Sequence, residues 1–271
     1  MKTIALANHK GGCAKTTTSF NLSIMLAASG ARVLAVDLDP QGNLSTAFDI
    51  DLEEIEQTRL TAHRLMLDRT GDVSAYLVHT RPKLDLIPAC LDHDAEALLE
   101  AVPVSRELLL KTRIAAVSKA YDYCILDTPP ALRVPTLNAL AMSDLTIIPI
   151  ESSAFSLVGV TQLMRTIGQV RAAHSPKMSI MALSTMHVAR QNLDKGVRER
   201  LESRFGSNIF SATIPRTVQI SQALAGGQAS SEADRFSPAT KAYRELVTEI
   251  REWLGESVDE QVTAKENKRT S

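Results

Sequence analysis

Apolar and polar positions follow two different periods along this chain. Short apolar runs that suit buried strands are separated by longer stretches in which apolar residues recur at helical spacing. The runs predict strands at 2–7, 32–37, 84–88, 122–126, 145–150, 179–185 and 208–213. The helical spacing predicts helices at 15–29, 92–118, 155–173, 193–205 and 238–254.

This alternation of strands and helices is typical of α/β proteins with a mostly parallel, twisted sheet flanked by helices. The run at 145–150 is almost continuously apolar, as expected for a strand covered on both faces. The acidic segment 48–60 predicts a loop or a short surface helix. We expect residues 1–254 to form one domain and the polar residues 255–271 to form a disordered tail.

Charge is distributed unevenly between the two halves of the chain. The whole chain carries a net charge of −1, which argues against a protein that binds nucleic acid over its whole surface. Residues 1–159 hold 14 Lys and Arg against 19 Asp and Glu, whereas residues 160–271 hold 16 against 12. The basic excess is concentrated in 160–216, with nine basic residues against three acidic ones. This asymmetry predicts an anionic partner for the C-terminal half.

The three cysteines, Cys13, Cys90 and Cys124, are widely spaced and form no CxxC pair. This spacing disfavours a disulfide framework or a zinc site and favours a reducing cytoplasm. The chain begins directly with a strand pattern, so we expect no signal peptide. No apolar run reaches membrane-spanning length, and we therefore predict no membrane partner.

The most informative segment lies between the first predicted strand and the first predicted helix. Its two glycines, Gly11 and Gly12, let the backbone approach an anion, and the N–H groups of the loop and helix favour negative charge. Lys15 can reach terminal phosphates, and the hydroxyl of Thr16 can bind Mg²⁺. A standard P-loop would have glycines at positions 9 and 14. The full stretch is the deviant form with an earlier lysine, Lys10-Gly11-Gly12-Cys13-Ala14-Lys15-Thr16-Thr17.

Two later strands end in carboxylates. The strand at 32–37 ends at Asp37, and Asp39 follows two residues later, so one of these groups can hold metal-bound water or orient an attacking water. The strand at 122–126 is followed by Asp127, the form of a Walker B strand, which predicts a water-mediated Mg²⁺ contact beside Thr16.

These segments, together with Ile214–Ala223, resemble in their order the ParA/Soj family of deviant Walker A ATPases. The resemblance covers residues 1–254 and implies ATP and Mg²⁺ as ligands. It implies that Lys15 contacts phosphate, that Asp39 serves hydrolysis, and that Lys10 reaches across an ATP-dependent homodimer to the partner's phosphates. The implied nucleotide contacts are Gly11, Gly12, Cys13, Ala14, Lys15, Thr16, Thr17 and Pro215, and the implied metal ligands are Thr16 and Asp127.

The resemblance also implies nonspecific DNA binding by the dimer. Arg190-Gln191-Asn192-Leu193 looks like the family's Arg-x-Asn-Leu stretch, and the predicted DNA-binding residues are Arg190, Lys195, Arg198 and Arg216. Nonspecific binding needs cations that face phosphates and no base readout. The chain departs from the family at Gln219, where an arginine is frequent. Without the resemblance, a solvated helix with local ion pairs explains the same charges.

The function implied is a slow, partner-stimulated ATPase that segregates a plasmid or chromosome through a ParB-like centromere-binding protein, in the cytoplasm and at the nucleoid. One alternative is positioning of a protein cargo, such as a carboxysome or chemoreceptor cluster, through a cargo adaptor. A MinD-like membrane ATPase is disfavoured because residues 256–271 offer only Val258 and Val262 as large aliphatic side chains. An iron–sulfur carrier is disfavoured because such proteins need paired cysteines, which this chain lacks. An operator-specific repressor is disfavoured because such proteins usually carry a helix-turn-helix before the first strand, and this sequence begins with that strand.

Overall fold

The computed structural model describes residues 1–151, 160–187 and 201–256, and its centre is an eight-stranded sheet. All predicted strands are present within two residues of their expected ends, and one more strand joins them. The strands are β1 (Lys2–Leu6), β2 (Val33–Asp37), β3 (Val78–Arg81), β4 (Leu84–Ile87), β5 (Tyr123–Asp127), β6 (Leu145–Glu151), β7 (Ser179–His187) and β8 (Ile209–Pro215).

The strand order is β3-β4-β2-β5-β1-β6-β7-β8, and all pairs are parallel except β3 with β4. This order confirms the predicted mostly parallel α/β sheet. The hydrophobic pattern missed β3, because this edge strand is short, carries His79 and Arg81, and is only partly buried. It pairs with β4 through a tight turn in which Lys83 adopts a left-handed backbone with φ of 66°.

Helices connect the strands and lie on both faces of the sheet. The first helix and the last one confirm the predicted elements at 15–29 and 238–254. The helices are α1 (Lys15–Ala28), α2 (Asn43–Ala47), α3 (Leu52–Thr58), α4 (Ala62–Leu67), α5 (His93–Ala101), α6 (Leu109–Ile114), α7 (Val134–Met142), α8 (Val160–His174), α9 (Val218–Ala225), α10 (Ser230–Ala233) and α11 (Pro238–Trp253).

The single helix predicted at 92–118 is wrong. The structure divides this stretch into α5 and α6, because Pro103 has no N–H to continue the helix and the preceding Val102 is extended. Ser105 then turns the chain with a left-handed φ of 54°. The short-helix expectation for 48–60 is met by α3, whose N-cap Asp51 accepts a hydrogen bond from the backbone of Glu53.

Two apolar layers sandwich the sheet. On one face, α1 and α11 pack their buried side chains, including Phe20 and Tyr243, against β1 and β8. On the other face, α4, α6 and α7 contribute Leu65, Leu110 and Val134. Because all strands except β3 run parallel, their carboxyl ends meet at one edge of the sheet, where α/β sheets bind ligands.

Several predictions fall wholly or partly outside the described ranges. The helix predicted at 193–205 is described only over residues 201–205, which are helical, and the helix predicted at 155–173 only from residue 160. The tail is described only to residue 256. Within the ranges that the structure covers, no helix combines the length and the apolarity that a membrane span requires.

Candidate nucleotide-binding site

The loop between β1 and α1 has the backbone shape of a phosphate-binding turn. Gly12 and Ala14 adopt left-handed conformations, with φ of 72° and 67°. A side-chain carbon added at Gly11 or Gly12 would meet no atom within 4 Å, so these residues face open space. Ala14 occupies the position where a standard P-loop has glycine, and its left-handed backbone is the conformation that glycine adopts freely.

Side chains from distant strands hold this loop in place. Asn8 donates from Nδ2 to the Pro149 carbonyl at 2.7 Å and accepts the Lys10 N–H at 3.1 Å. Thr185 on β7 donates to the Cys13 carbonyl at 3.1 Å. The Cys13 thiol donates to the Lys10 carbonyl at 3.2 Å, and burial raises its pKa, so it remains a protonated donor. Sequence reasoning missed Asn8 and Thr185 because their partners are far away in the chain.

The two lysines of the loop occupy different positions. Lys15 is only 7% exposed, and its Nζ lies 3.4 Å from the Lys10 carbonyl, a long contact that leaves most of its hydrogen-bonding capacity unused. Lys10 points to the mouth of the site, where its Nζ forms an ion pair with Glu151 at the end of β6. The ion pair is partly exposed, with 40% and 26% of the two side chains accessible.

Thr16 and Asp127 are brought together as predicted. The Thr16 hydroxyl donates to Asp127 Oδ2 at 2.7 Å, and Ser19, one turn later on α1, donates to Asp127 Oδ1 at 2.8 Å. Burial raises the pKa of Asp127, and the two hydrogen bonds oppose that rise. A hydroxyl and a carboxylate side by side are oxygen donors of the type that Mg²⁺ prefers.

Asp37 is a fully buried carboxylate that shapes the neighbouring turn. It accepts hydrogen bonds from the Asp39 N–H at 3.1 Å and from the N–H and hydroxyl of Ser45 at 2.9 and 2.8 Å. Burial raises its pKa, and so does the charge of Asp127, its register partner on β5. Its three donors all belong to the turn and to α2, which makes Asp37 an anchor of the Asp39 turn.

Asp39 occupies a different environment from Asp37. It follows β2 in the turn with Pro40 and is 6% exposed. Its Oδ1 accepts the Gln41 N–H at 3.1 Å, and its Oδ2 makes no hydrogen bond within the described part of the chain. Its charge is close enough to raise the pKa of Asp127, which places it at the same edge of the sheet.

The predicted DNA-binding residues are only partly covered by the structure. Arg190, Lys195 and Arg198 lie outside the described residues. Arg216 is exposed just after β8, and its backbone N–H donates to the His187 carbonyl at 2.9 Å. Pro215, which the resemblance gives as a nucleotide contact, ends β8 at the same sheet edge as the phosphate loop and is partly buried.

A parallel sheet with a phosphate loop after its first strand and a hydroxyl–carboxylate pair beneath it defines the P-loop class of nucleotide-binding proteins, and Lys10 and Ala14 mark the deviant form of the loop. A family model described as an AAA domain matches residues 1–180. The chain is 35% identical over 253 residues to the chromosome partitioning protein ParA of Caulobacter vibrioides, which covers 92% of this chain and 94% of that protein. It therefore belongs to the ParA/Soj family of partition ATPases, as its motifs predicted.

Two further comparisons agree with this assignment. The chromosome-partitioning ATPase Soj of Thermus thermophilus is 36% identical over 252 residues, covering 92% of this chain and 95% of that protein. Among solved structures, the cobyrinic acid a,c-diamide synthase of Mycobacterium smegmatis, with an ATP analogue and magnesium bound, superposes with a TM-score of 0.81 at 34% identity. That similarity covers 93% of this chain and 95% of the solved one.

Proposed function

We propose that this chain is an ATPase that binds ATP with Mg²⁺, hydrolyses it slowly, and in the ATP state pairs with a second copy and binds DNA without sequence preference. With a ParB-like centromere-binding partner it segregates a plasmid or a chromosome in the cytoplasm, at the nucleoid. The observation that supports this most directly is the phosphate loop with Thr16 bonded to Asp127 beneath it. The partition names of the relatives support the cellular role.

The residues present fit a nucleotide and its metal. Gly11 and Gly12 leave the loop open for phosphates, and the Lys15 ammonium has donors to spare. Thr16 and Asp127 would hold Mg²⁺, Asp127 through water, because their oxygens already lie 2.7 Å apart. When bound, Mg²⁺ neutralises negative charge on phosphate oxygens.

Asp39 is the residue best placed to orient a water molecule for hydrolysis. One of its oxygens is fixed by the turn through Gln41, and the other makes no hydrogen bond within the described residues. Asp37 holds the backbone of the same turn, so the free oxygen of Asp39 has a defined position. A positioned carboxylate can accept a proton or a hydrogen bond from attacking water.

Lys10 connects nucleotide binding with pairing of two copies. It belongs to the loop, yet its ammonium is partly exposed at the mouth of the site, where it pairs with Glu151. A cation at the mouth can reach the phosphates of a facing copy, and that contact exists only in the dimer. We therefore expect Lys10→Ala to weaken the ATP-dependent dimer more than it weakens nucleotide binding by the monomer.

Hydrolysis is tested with the Asp39→Ala variant. It should bind ATP as the parent does, while its turnover falls by about a hundredfold or more, the usual contribution of one positioned acid or base. Lys15→Ala should lose nucleotide binding, and Asp94→Ala serves as the control because Asp94 is an exposed aspartate on α5. Turnover by Asp39→Ala at the parental rate would show that another group orients the water.

DNA binding is tested by electrophoretic shift with random duplexes, ATP and a salt series. Affinity should fall steeply as salt rises, because lysines and arginines displace counterions from phosphates. Arg190→Glu, Arg198→Glu and Arg216→Glu should weaken binding to all sequences equally, and Gln219→Arg should strengthen it. Arg69→Glu is the matched control, since Arg69 is exposed in the acidic half. Binding that ignores salt or prefers one sequence would contradict the proposal.

A further inference from the structure

Ala14 is a strained residue of the phosphate loop. Its φ of 67° and ψ of 30° are left-handed, a conformation that brings the side-chain carbon of an L-residue close to the following carbonyl oxygen. Glycine adopts this conformation without that cost, and a standard P-loop has glycine at this position. Other bonds must therefore hold the loop in a conformation that alanine disfavours.

The peptide between Cys13 and Ala14 decides whether the loop presents its N–H groups to phosphate. In a trans peptide the carbonyl and the N–H point in opposite directions. The Ala14 N–H has no acceptor within the described part of the chain, and neither has that of Gly12. Free N–H groups in such a turn form the concave nest that binds an anion. If the peptide turned over, φ of Ala14 would become negative and the strain would be relieved, but the N–H would point away from the nest.

Thr185 holds this peptide in one orientation. The residue is fully buried on β7, and its hydroxyl donates to the Cys13 carbonyl at 3.1 Å. Among the residues that the structure describes, it is the one side chain from outside the loop that bonds this peptide. The Cys13 thiol donates to the Lys10 carbonyl, which belongs to the loop itself, so that bond does not tie the peptide to the sheet.

The sheet fixes the position of Thr185. Thr185 is the register partner of Glu151 on β6, and Glu151 pairs with Lys10 at the start of the loop. Two neighbouring strands therefore hold both Lys10 and the peptide that follows Cys13. Because the hydroxyl belongs to a paired strand, little freedom is lost when it bonds the carbonyl.

We propose that Thr185 is a positioning residue for nucleotide binding, a role that rests on the proposed function. Its hydroxyl compensates for the glycine that this loop lacks, because it keeps the Cys13–Ala14 peptide in the orientation that binds phosphate. One neutral hydrogen bond and the bias of an L-residue against the left-handed conformation are of similar size. Without the hydroxyl the peptide is therefore mostly reversed, and the apparent affinity for ATP falls with the fraction of loops that remain competent.

The test compares the parent, Thr185→Val, Ala14→Gly and the double variant, each as the full chain, for binding of N-methylanthraniloyl-ATP with Mg²⁺. Thr185→Val removes the hydroxyl and keeps the shape of the side chain. It should weaken binding about fivefold when residue 14 is alanine, the effect of one neutral hydrogen bond. It should weaken binding by less than about twofold in the Ala14→Gly chain, because glycine is left-handed without help. Ala14→Gly alone should bind at least as tightly as the parent.

Two variants separate this role from a general effect on the sheet. Thr185→Ser keeps the hydroxyl and should bind as the parent does. Thr146→Val is the matched control, because Thr146 is equally buried on β6 and its hydroxyl contacts Ser143 and Met178 instead of the loop. It should change the affinity by less than about twofold, as expected for a site with no shared partner. Equal weakening by Thr185→Val in both backgrounds, or by Thr146→Val, would overturn the inference.

A second measurement needs no nucleotide. The backbone nuclear magnetic resonance signals of Ala14 in the free protein report its conformation, and Thr185→Val should shift them toward the values of negative φ. Unchanged Ala14 signals in that variant would contradict the role of Thr185 alone. Failure of the parent to bind the ATP analogue would contradict the proposed function, and a shift of the Ala14 signals would still support the hold of Thr185 on the peptide.

Discussion

The ion pair between Lys10 and Glu151 predicts that each monomer restrains its own pairing. If Lys10 must reach the phosphates of a second copy, its bond to Glu151 has to break first. Glu151→Gln removes the charge and keeps the shape of the side chain. We expect this variant to dimerise more tightly in ATP than the parent does, with nucleotide affinity of the monomer unchanged.

The size of the effect follows from the exposure of the pair. Both side chains are partly accessible, 40% and 26%, so solvent screens the attraction and the pair contributes about 0.5–1 kcal/mol. Two such pairs break when two copies meet, which makes the total about 1–2 kcal/mol. The dissociation constant of the dimer should therefore fall by about 5- to 30-fold.

The assay is sedimentation velocity over a concentration series with ATP and Mg²⁺, in an Asp39→Ala background that limits hydrolysis. Glu245→Gln is the control, because Glu245 is exposed on α11 and has no partner within the described ranges. An unchanged or weaker dimer in Glu151→Gln would show that Glu151 does not restrain Lys10. An equal gain in Glu245→Gln would assign the effect to net charge.

Two further predictions concern buried groups. Ser19→Ala removes the donor to Asp127 Oδ1 and should lower the free energy of unfolding, measured in urea, by about 1–3 kcal/mol. The control Ser23→Ala removes only a hydrogen bond within α1 and should lower it by less. Equal losses in the two variants would contradict a special role for Ser19. His63 has a folded pKa of about 4 against 6.5 normally, so its contribution is complete above pH 6.5 and is lost as the pH falls toward 4, up to about 3 kcal/mol. His63→Phe should flatten this pH dependence in unfolding curves, and an unchanged slope would refute the assignment.

The phosphate loop could be predicted from the sequence because its signals are local. Residues 2–16 contain the strand, the two glycines, the lysine and the hydroxyl in one short stretch. Asp37 and Asp127 are likewise visible in the sequence, because each stands at the end of an apolar run. The pairing of Thr16 with Asp127 was expected for the same reason, since parallel strands bring their carboxyl ends to one edge. The family resemblance assigned roles to the residues of this site, and the comparisons with known proteins confirmed the family.

The rest of the site depends on contacts between distant residues. Glu151 lies 141 residues from Lys10, Ser19 lies 108 from Asp127, and Thr185 lies 172 from Cys13. The spacing of apolar residues along the sequence cannot reveal such distant pairs. The sequence analysis did not single out His63, and only the three-dimensional packing shows that its ring is buried without partners.

Two errors in the fold have local causes. The break at Pro103 was visible in the sequence but was outweighed by apolar spacing that continued on both sides of it. Helix α7 was not predicted because it has no polar stripe. Seven of its nine residues are buried, and Asn138 satisfies its amide by accepting from the Leu110 N–H at 2.9 Å and donating to the Val134 carbonyl at 2.9 Å.

The hydrogen bond from Thr185 to the Cys13 carbonyl links the phosphate loop to the C-terminal end of β7. Thr185 lies two residues before His187, whose carbonyl accepts the backbone N–H of Arg216, so the tether joins the phosphate loop to the strand end beside a predicted DNA-binding residue. A hydrogen bond of this kind contributes about 1 kcal/mol, which sets the scale of any coupling it carries at about fivefold. Coupling between binding sites is reciprocal: to the extent that nucleotide favours DNA through this tether, DNA retains nucleotide by the same factor.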